Sequence, residues 1–133
     1  MSPVFLDTVG ILALLERSDQ WNEAATRAWM ALIEAGRPLR TTTLVLLECG
    51  NSVARKPYRH RIAEIRREFQ ADVTLIAPTD PDIDSAWEAY ERGEAGNAGI
   101  VDHVSFVVMR RLGLTEAFSS DEHFRAAGFR TLF

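Results

Sequence analysis

Four acidic residues stand where they can bind a metal ion together. Glu48 lies inside an apolar run, and the first basic residue after it is Arg55. A buried carboxylate without a partner is costly or becomes protonated, so a chain that keeps one commonly supplies a cation for it. Asp7, Asp102 and Asp121 each stand where an apolar segment gives way to a predicted helix. In an open α/β sheet such junctions gather along one edge, where ligands bind.

The residue types indicate which cation this would be. Clustered carboxylates repel one another and raise one another's pKa values unless a hard cation neutralises them. Oxygen ligands favour Mg²⁺ or Mn²⁺, and the chain lacks the Cys and His set of a zinc site. We interpret its scattered histidines, His60, His103 and His123, as ordinary residues. The acids therefore predict a magnesium or manganese site.

The three aspartates also have a structural explanation. An aspartate at the start of a helix accepts main-chain N–H bonds and interacts favourably with the helix dipole. Ser119 and Glu122 have the spacing of a capping box. Glu48 lacks this explanation, because it falls in the middle of a predicted helix among leucines. The four acids taken together, more than any one of them, favour a site.

Size and charge limit the class of protein. With 133 residues and 47% apolar content, the chain fits one domain with a substantial core. A net charge of −4 excludes a protein that is basic throughout. Residues 51–70 are nevertheless locally basic, which suits an anionic partner, although a solvated helix face explains the pattern equally well. The basic residues of this segment are Arg55, Lys56, Arg59, Arg61, Arg66 and Arg67.

The sequence favours a reducing compartment. A single cysteine, Cys49, excludes a disulfide framework. Asp7 interrupts the first apolar run, so no signal peptide is predicted, and no apolar stretch is long enough to span a membrane. We therefore expect a cytoplasmic protein without a membrane partner.

Alternating strands and helices predict the fold class. Strands are expected at residues 3–6, 39–41, 73–76, 114–118 and 129–133. Helices are expected at residues 9–17, 21–35, 43–54, 57–71, 83–92, 100–111 and 121–127, with Thr42 or Thr43 capping the third and Asp80 the fifth. This alternation predicts one α/β domain, a three-layer α/β/α sandwich with a mainly parallel central sheet.

The order of the motifs resembles a known family. Val-Phe-Leu-Asp7-Thr8 is followed by Thr-Thr-Leu-Val-Leu-Leu-Glu48, then by Val-Asp102-His-Val-Ser-Phe, and finally by Ala-Phe-Ser-Ser-Asp121-Glu-His-Phe-Arg-Ala-Ala-Gly-Phe. This closely resembles the PIN-domain ribonucleases, especially the VapC-type toxins of bacterial toxin–antitoxin pairs. The resemblance covers essentially the whole chain, and the last two motifs are its most specific part.

The resemblance implies an activity and a set of site residues. It implies cleavage of RNA that depends on Mg²⁺ or Mn²⁺, inhibition by a small antitoxin, and a homodimer. By resemblance, Asp7, Glu48, Asp102 and Asp121 bind the metal and catalyse cleavage, with Thr8 and Ser120 supporting them. Arg55, Lys56 and Arg59 are the candidates for guiding the RNA backbone.

One segment departs from the family pattern. Many relatives carry an acid or a lysine just before the third motif, where this chain has the small residues 95–99. Glu94 is the candidate to replace that group as a fifth site acid.

Two other functions remain open from sequence. A phosphatase with an aspartyl nucleophile carries a second acid two residues after the first, but Val9 occupies that position here. A PIN-like domain that binds RNA or protein without cleaving it is the non-enzymatic alternative. The presence of all four acids argues against this alternative, whereas the unusual segment 95–99 is compatible with it.

Overall fold

The computed structural model describes residues 1–72 and 74–133 and contains a five-stranded parallel sheet. Its strands are β1 (Val4–Leu6), β2 (Leu39–Thr42), β3 (Leu75–Ile76), β4 (Glu116–Phe118) and β5 (Arg130–Thr131), in the spatial order β3-β2-β1-β4-β5. All five strand positions agree with the sequence prediction, although the first residue of the predicted strand 73–76 lies outside the described residues. The order reverses beside β1, which is where ligands bind in sheets of this kind.

Seven helices connect these strands within the described part of the chain. They are α1 (Thr8–Leu15), α2 (Asn22–Glu34), α3 (Thr43–Ser52), α4 (His60–Ala71), α5 (Asp80–Arg92), α6 (Ile100–Arg111) and α7 (Glu122–Ala126). Right-handed crossovers between parallel strands place α1 to α4 on one face of the sheet and α5 to α7 on the other. The predicted three-layer α/β/α sandwich with a parallel sheet is confirmed.

The two faces of the central strands build the core. Phe5 of β1 is fully buried and lies 6.4 Å, between ring centroids, from Phe124 of α7. Phe118 of β4 has the opposite orientation and contacts Trp29 of α2 at 5.7 Å. Because side chains alternate along a strand, β1 and β4 pack against both helix layers. The residues that follow these two strands therefore stand on the most rigid part of the fold.

Some predicted helix boundaries are confirmed and others are wrong. The Thr42 hydroxyl caps α3 by accepting the Val45 N–H at 3.1 Å, as predicted. The N-cap of α5 is Thr79, not Asp80, because Thr79 forms a reciprocal capping box with Asp82. The helix predicted to start at residue 57 begins at His60, after a series of turns.

Gly10 shows how closely α1 approaches the end of β4. A Cβ atom at this position would collide with the carbonyl oxygen of Phe118. We expect Gly10→Ala to lower the free energy of unfolding by about 1–3 kcal/mol, the usual range for overpacking, or by more, because the obstacle is backbone. Urea unfolding followed by circular dichroism measures this.

Gly50 is the matched control, because it lies in α3 and a Cβ atom there would meet no other atom within 4 Å. Gly50→Ala removes a glycine from a helix and should raise the free energy of unfolding by up to about 1 kcal/mol. Equal stability of the two variants would contradict the close approach of α1 and β4.

Candidate metal centre

Asp7 is the most deeply buried acid of the predicted set, with 2% of its surface exposed. It follows β1 directly and precedes α1, yet its side chain does not cap that helix. Its Oδ2 instead accepts a hydrogen bond of 2.7 Å from the Ser119 hydroxyl, which lies just after β4. Capping therefore does not explain Asp7, and a contact between two neighbouring strand ends holds its carboxylate in place.

Burial changes the chemistry of this carboxylate. Desolvation, followed by the charges of Asp102 and Asp121, raises the pKa of Asp7 to about 8, although bonds from Ser119 and the Thr8 main chain act in the opposite direction. Asp102 is partly exposed, and desolvation together with Asp121 and Glu48 raises its pKa to about 6, with His123 opposing. The hydrogen bonds and the remaining water therefore do not fully stabilise the negative charge of these carboxylates.

The four predicted acids share one cavity. A space of about 380 Å³ is lined by Asp7, Glu48, Asp102 and Asp121, together with Thr8, Val9 and the start of α6. These acids come from the end of β1, from α3 and α6, and from the N-cap position before α7, which are far apart in sequence. The fold therefore brings together the carboxylates that the sequence analysis grouped.

Glu48 differs from its expected environment. We expected a buried carboxylate, but Glu48 is only half-buried, and the neighbouring Leu47 is 65% exposed. The expectation was wrong because a helix distributes a continuous apolar run around its axis, so apolar neighbours in sequence need not enclose a residue. Asp7, at the end of the central strand, bears the desolvation that the sequence analysis assigned to Glu48.

Asp121 both caps a helix and faces the cavity. Its Oδ1 accepts a hydrogen bond of 2.9 Å from the main-chain N–H of His123, which makes Asp121 the N-cap of α7. The capping box predicted for Ser119 and Glu122 is wrong, because the Ser119 hydroxyl bonds to Asp7 and accepts the Asp121 N–H at 3.0 Å. The capping explanation therefore holds for Asp121 in part, without removing it from the cavity.

The donor set fits a hard divalent cation. Carboxylate oxygens dominate the cavity, as Mg²⁺ and Mn²⁺ prefer. The Thr8 hydroxyl, which also lines it, is buried and has no oxygen or nitrogen partner among the described residues, with only the Cys49 thiol within its reach. The nearby Cys49 thiol has its pKa raised to about 12 by burial and by the Asp7 and Glu48 charges, so it stays protonated and does not compete as a ligand.

A family model for the PIN domain matches residues 4–130. This chain belongs to the PIN-domain family. The family predicted from the sequence motifs is therefore confirmed.

Relatives of this PIN domain include a named enzyme. This chain is 29% identical over 131 residues to the 23S rRNA-specific endonuclease VapC20 of Mycobacterium tuberculosis, with 95% of each chain covered. The crystal structure of that protein, described as a toxin that cleaves the sarcin-ricin loop, superposes with a TM-score of 0.77 over 95% of both chains. PAE2754 of Pyrobaculum aerophilum, at 20% identity and a TM-score of 0.55, shares the fold over 98% of this chain and 90% of its own.

Three residues that the sequence did not single out as site residues contact the acids or a neighbour of the acids. Ser119 holds Asp7, whereas Ser120, predicted as a helper, contributes its main-chain carbonyl to Arg125 at 3.3 Å. His123, interpreted as ordinary, places Nδ1 3.0 Å from Asp121. Asn97 contacts the other nitrogen of that ring. The supporting roles of Thr8 and Ser120 stay predictions.

Glu94, the candidate fifth acid, does not line the acid cavity. Glu94 is exposed, pairs with Arg92 at 3.0 Å and lines a separate cavity beside Phe106 and Arg110. Within segment 95–99, Gly99 lines the acid cavity, and the exposed Asn97 contacts His123.

The predicted basic residues lie beside the acid-bearing helix. Arg55 and Arg59 are exposed, while Lys56 pairs with Glu16 at 3.7 Å. Arg59 lines a groove of about 680 Å³ between α3 and α4, and α3 also carries Glu48. None of the helices described is both long and apolar enough to cross a bilayer.

The raised pKa of Asp7 predicts how stability depends on pH. Because the folded-state pKa lies above the unfolded value of 3.8, the native state binds the extra proton, and stability is lost as pH rises from about 4 toward 8. Asp7→Asn lacks this carboxylate, so in EDTA its free energy of unfolding should not show the loss that Asp7 causes between pH 6 and 8. At pH 8 the variant should therefore be more stable than wild type by roughly 2 kcal/mol or more.

Urea unfolding in EDTA at pH 5, 6, 7 and 8 measures this effect. Asp84→Asn, a neutralisation at an exposed position of α5, is the control and should keep the wild-type pH dependence. The same slope between pH 6 and 8 in wild type and Asp7→Asn would show that burial does not raise the pKa of Asp7.

Proposed function

We propose that this PIN domain is a metal-dependent endoribonuclease and the toxin of a toxin–antitoxin pair. The observation that carries the proposal is the single cavity lined by Asp7, Glu48, Asp102 and Asp121. It occurs in a chain that matches the endonuclease VapC20 over 95% of both sequences.

Each acid has a distinct part in holding the cation. The hydrogen bond from Ser119 holds the buried Asp7 carboxylate in one orientation. Asp102, Asp121 and Glu48 are each partly exposed and provide the other three carboxylates of the cavity. A divalent cation bound there lowers the pKa of a coordinated water and stabilises the charge that develops on the phosphate.

The substrate is proposed to be ribosomal RNA. VapC20 is named a 23S rRNA-specific endonuclease, and its structure is described as that of a sarcin-ricin loop cleaving toxin. Structured RNA presents phosphates at an irregular loop, and a single-stranded loop is the part of RNA that proteins read by sequence. The sarcin-ricin hairpin is therefore the first RNA to assay.

The RNA backbone is proposed to run over the groove between α3 and α4. Arg59 and Arg66 line this groove, and Arg55 lies just before it in the chain. Helix α3 borders the groove and also carries Glu48, which lines the acid cavity. Cations along this path offset the repulsion between the RNA phosphates and the acids. Lys56 contributes less, because Glu16 already pairs with it.

The partner expectations of the family stay proposals for this chain. They are a small antitoxin that blocks the acid cavity, a homodimer, and action in the cytoplasm. Size-exclusion chromatography with light scattering, on the free toxin and after co-expression with any protein encoded beside it, tests the first two.

Cleavage assays test the chemistry. Asp7→Asn and Asp121→Asn should each lower the rate of RNA cleavage more than about 100-fold, beyond the 10- to 100-fold loss usual for an outer-shell partner. Wild type should cleave the sarcin-ricin hairpin with Mg²⁺ or Mn²⁺ and not with EDTA, while Asp84→Asn stays active.

Unchanged far-UV circular dichroism establishes that these variants fold. Full activity in either aspartate variant, or in EDTA, would refute the metal-dependent mechanism. RNA binding without cleavage by the wild type would favour the non-enzymatic alternative. Hydrolysis of small phosphate monoesters, with RNA left intact, would favour a phosphatase.

Salt dependence tests the RNA path. Replacing Arg55, Lys56 and Arg59 with glutamine should weaken binding of cleavage-inactive protein to RNA and reduce the slope of log K against log salt. Each lost phosphate contact lowers that slope by roughly 0.7 to 0.9, so a total change of about 2 is expected. Fluorescence anisotropy between 50 and 300 mM KCl, about the range where the effect is large, measures it.

The control is a triple variant with the same charge change elsewhere on the surface. Arg27, Arg92 and Arg130 are exposed, and each is paired with a glutamate away from the groove. If both triple variants shift the slope equally, only net charge matters, and the basic segment 55–67 is a solvated face.

A further inference from the structure

His123 lies beside two of the acids that line the cavity, and both of its ring nitrogens have a polar neighbour. Its Nδ1 lies 3.0 Å from Oδ1 of Asp121 and 3.7 Å from Oδ2 of Asp102. Its Nε2 lies 2.7 Å from Oδ1 of Asn97, a residue of the loop between α5 and α6. The imidazole therefore bridges that loop and two of the acids.

We propose that His123 is a direct ligand of the cation through Nδ1, and that Asn97 is the residue that positions its ring. This inference rests on the proposed metal centre, and it changes that centre from an all-oxygen set to a mixed oxygen and nitrogen set. A nitrogen ligand favours Mn²⁺ over Mg²⁺, because Mg²⁺ is the harder cation and prefers oxygen.

The contact with Asn97 decides which nitrogen is free. An amide oxygen only accepts, so Nε2 carries the proton that it donates to Asn97. When the proton is on Nε2, Nδ1 presents a lone pair 3.0 Å from Asp121 and 3.7 Å from Asp102. A metal ion bound by Nδ1 and the two carboxylates would satisfy all three groups; the alternative is a proton on Nδ1, which would make His123 an ion-pair partner of the acids. Histidines that bind metals in proteins are commonly held in this way, with the second nitrogen donating to an oxygen.

The spacing of the three donor atoms suits one metal ion. One atom each from Asp102, Asp121 and His123 lies within 4.8 Å of the others. With ligand bonds of about 2.1 Å, donors at right angles are roughly 3.0 Å apart and opposite donors about 4.2 Å. The separations of 3.0 and 3.7 Å from Nδ1 fall inside this range.

A separate observation also indicates a ligand in this cavity. The Thr8 hydroxyl is 6% exposed, lines the same space and has no oxygen or nitrogen partner among the described residues; the Cys49 thiol, a weak hydrogen-bond partner, is the polar group within its reach. Buried hydroxyls are normally satisfied, so a bound ion or its water shell is the partner that this group lacks. Thr8 lies on α1, independent of the elements that carry His123 and Asn97.

Metal titrations without RNA test the assignment. We expect His123→Gln to weaken Mn²⁺ binding by at least about tenfold and Mg²⁺ binding by less, as measured by isothermal titration calorimetry. Asn97→Leu removes the acceptor for Nε2 and should weaken Mn²⁺ binding in the same direction. Asn97→Asp keeps an acceptor and should retain the affinity. His60→Gln, at an exposed position on α4, is the control and should change neither ion.

The Asn97→Asp variant also excludes the opposite amide orientation. With the side-chain amide turned around, Asn97 would donate to Nε2, and Nδ1 would donate its own proton to Asp121. An aspartate at position 97 only accepts and therefore holds the proton on Nε2, so a clear gain in Mn²⁺ affinity over the wild type would show that the wild-type amide donates to Nε2 and would overturn the assignment.

Pulsed electron paramagnetic resonance of bound Mn²⁺ gives a readout that a structural role of His123 would not affect. A directly bound imidazole produces a nitrogen hyperfine coupling, which should be present in wild type and His60→Gln and absent in His123→Gln. The coupling should disappear on ¹⁵N-histidine labelling and be replaced by the ¹⁵N signal.

The outcomes separate this inference from the proposed function. Equal Mn²⁺ affinity in wild type and His123→Gln, without nitrogen coupling, would make His123 an ion-pair partner of the acids only; the metal-dependent nuclease would stand. Failure of the wild type to bind Mn²⁺ or Mg²⁺ at millimolar concentration would refute the metal centre and this inference together.

Discussion

The structure depends on the burial of one carboxylate among others. Asp7 ends the central strand β1, is almost inaccessible to water, and faces Asp102 and Asp121 across a small cavity. Ser119 and the main chain of Thr8 stabilise only part of its charge, as its raised pKa shows. A proton or a cation must supply the rest. A proton would remove the negative charge, whereas the proposed cation would bind to it, so the crowding of carboxylates that destabilises the protein without a cation would favour the binding of one.

The parallel sheet explains why these acids meet. β1 and β4 are neighbours at the point where the strand order reverses, so residues 7 and 119–121 leave the sheet side by side. The close approach of Gly10 to the Phe118 carbonyl keeps α1 against the end of β4, and thus Asp7 against Ser119. Glu48 and Asp102 come from helices on opposite faces of the sheet. The site is therefore a property of the whole domain, and each of its elements is positioned by packing remote from the cavity.

The sequence predicted the elements and the acids well, and their environments less well. Asp7 was placed correctly at a strand end, because strand pattern and helix start are both local signals. The burial of Glu48 was overestimated, since apolar neighbours in sequence do not enclose a helical residue; Leu47 beside it is exposed. His123 was overlooked because its partner Asn97 is 26 residues away and belongs to a loop without periodicity. Contacts between loops carry no local signal, and only the fold reveals them.

The contact between Asn97 and His123 gives the loop of small residues before α6 a structural role. Ala95 and Gly96 both have positive φ values, 54° and 66°, so the chain turns sharply there. This turn brings Asn97 within 2.7 Å of His123 without adding a charged group to a cavity that is already crowded with carboxylates. A fifth acid here would increase the repulsion that burial has already made severe at Asp7. A neutral amide avoids this repulsion and still fixes the orientation of a ring that faces two of the acids. The departure from the family pattern is thus consistent with a site that keeps its charge low and its geometry fixed.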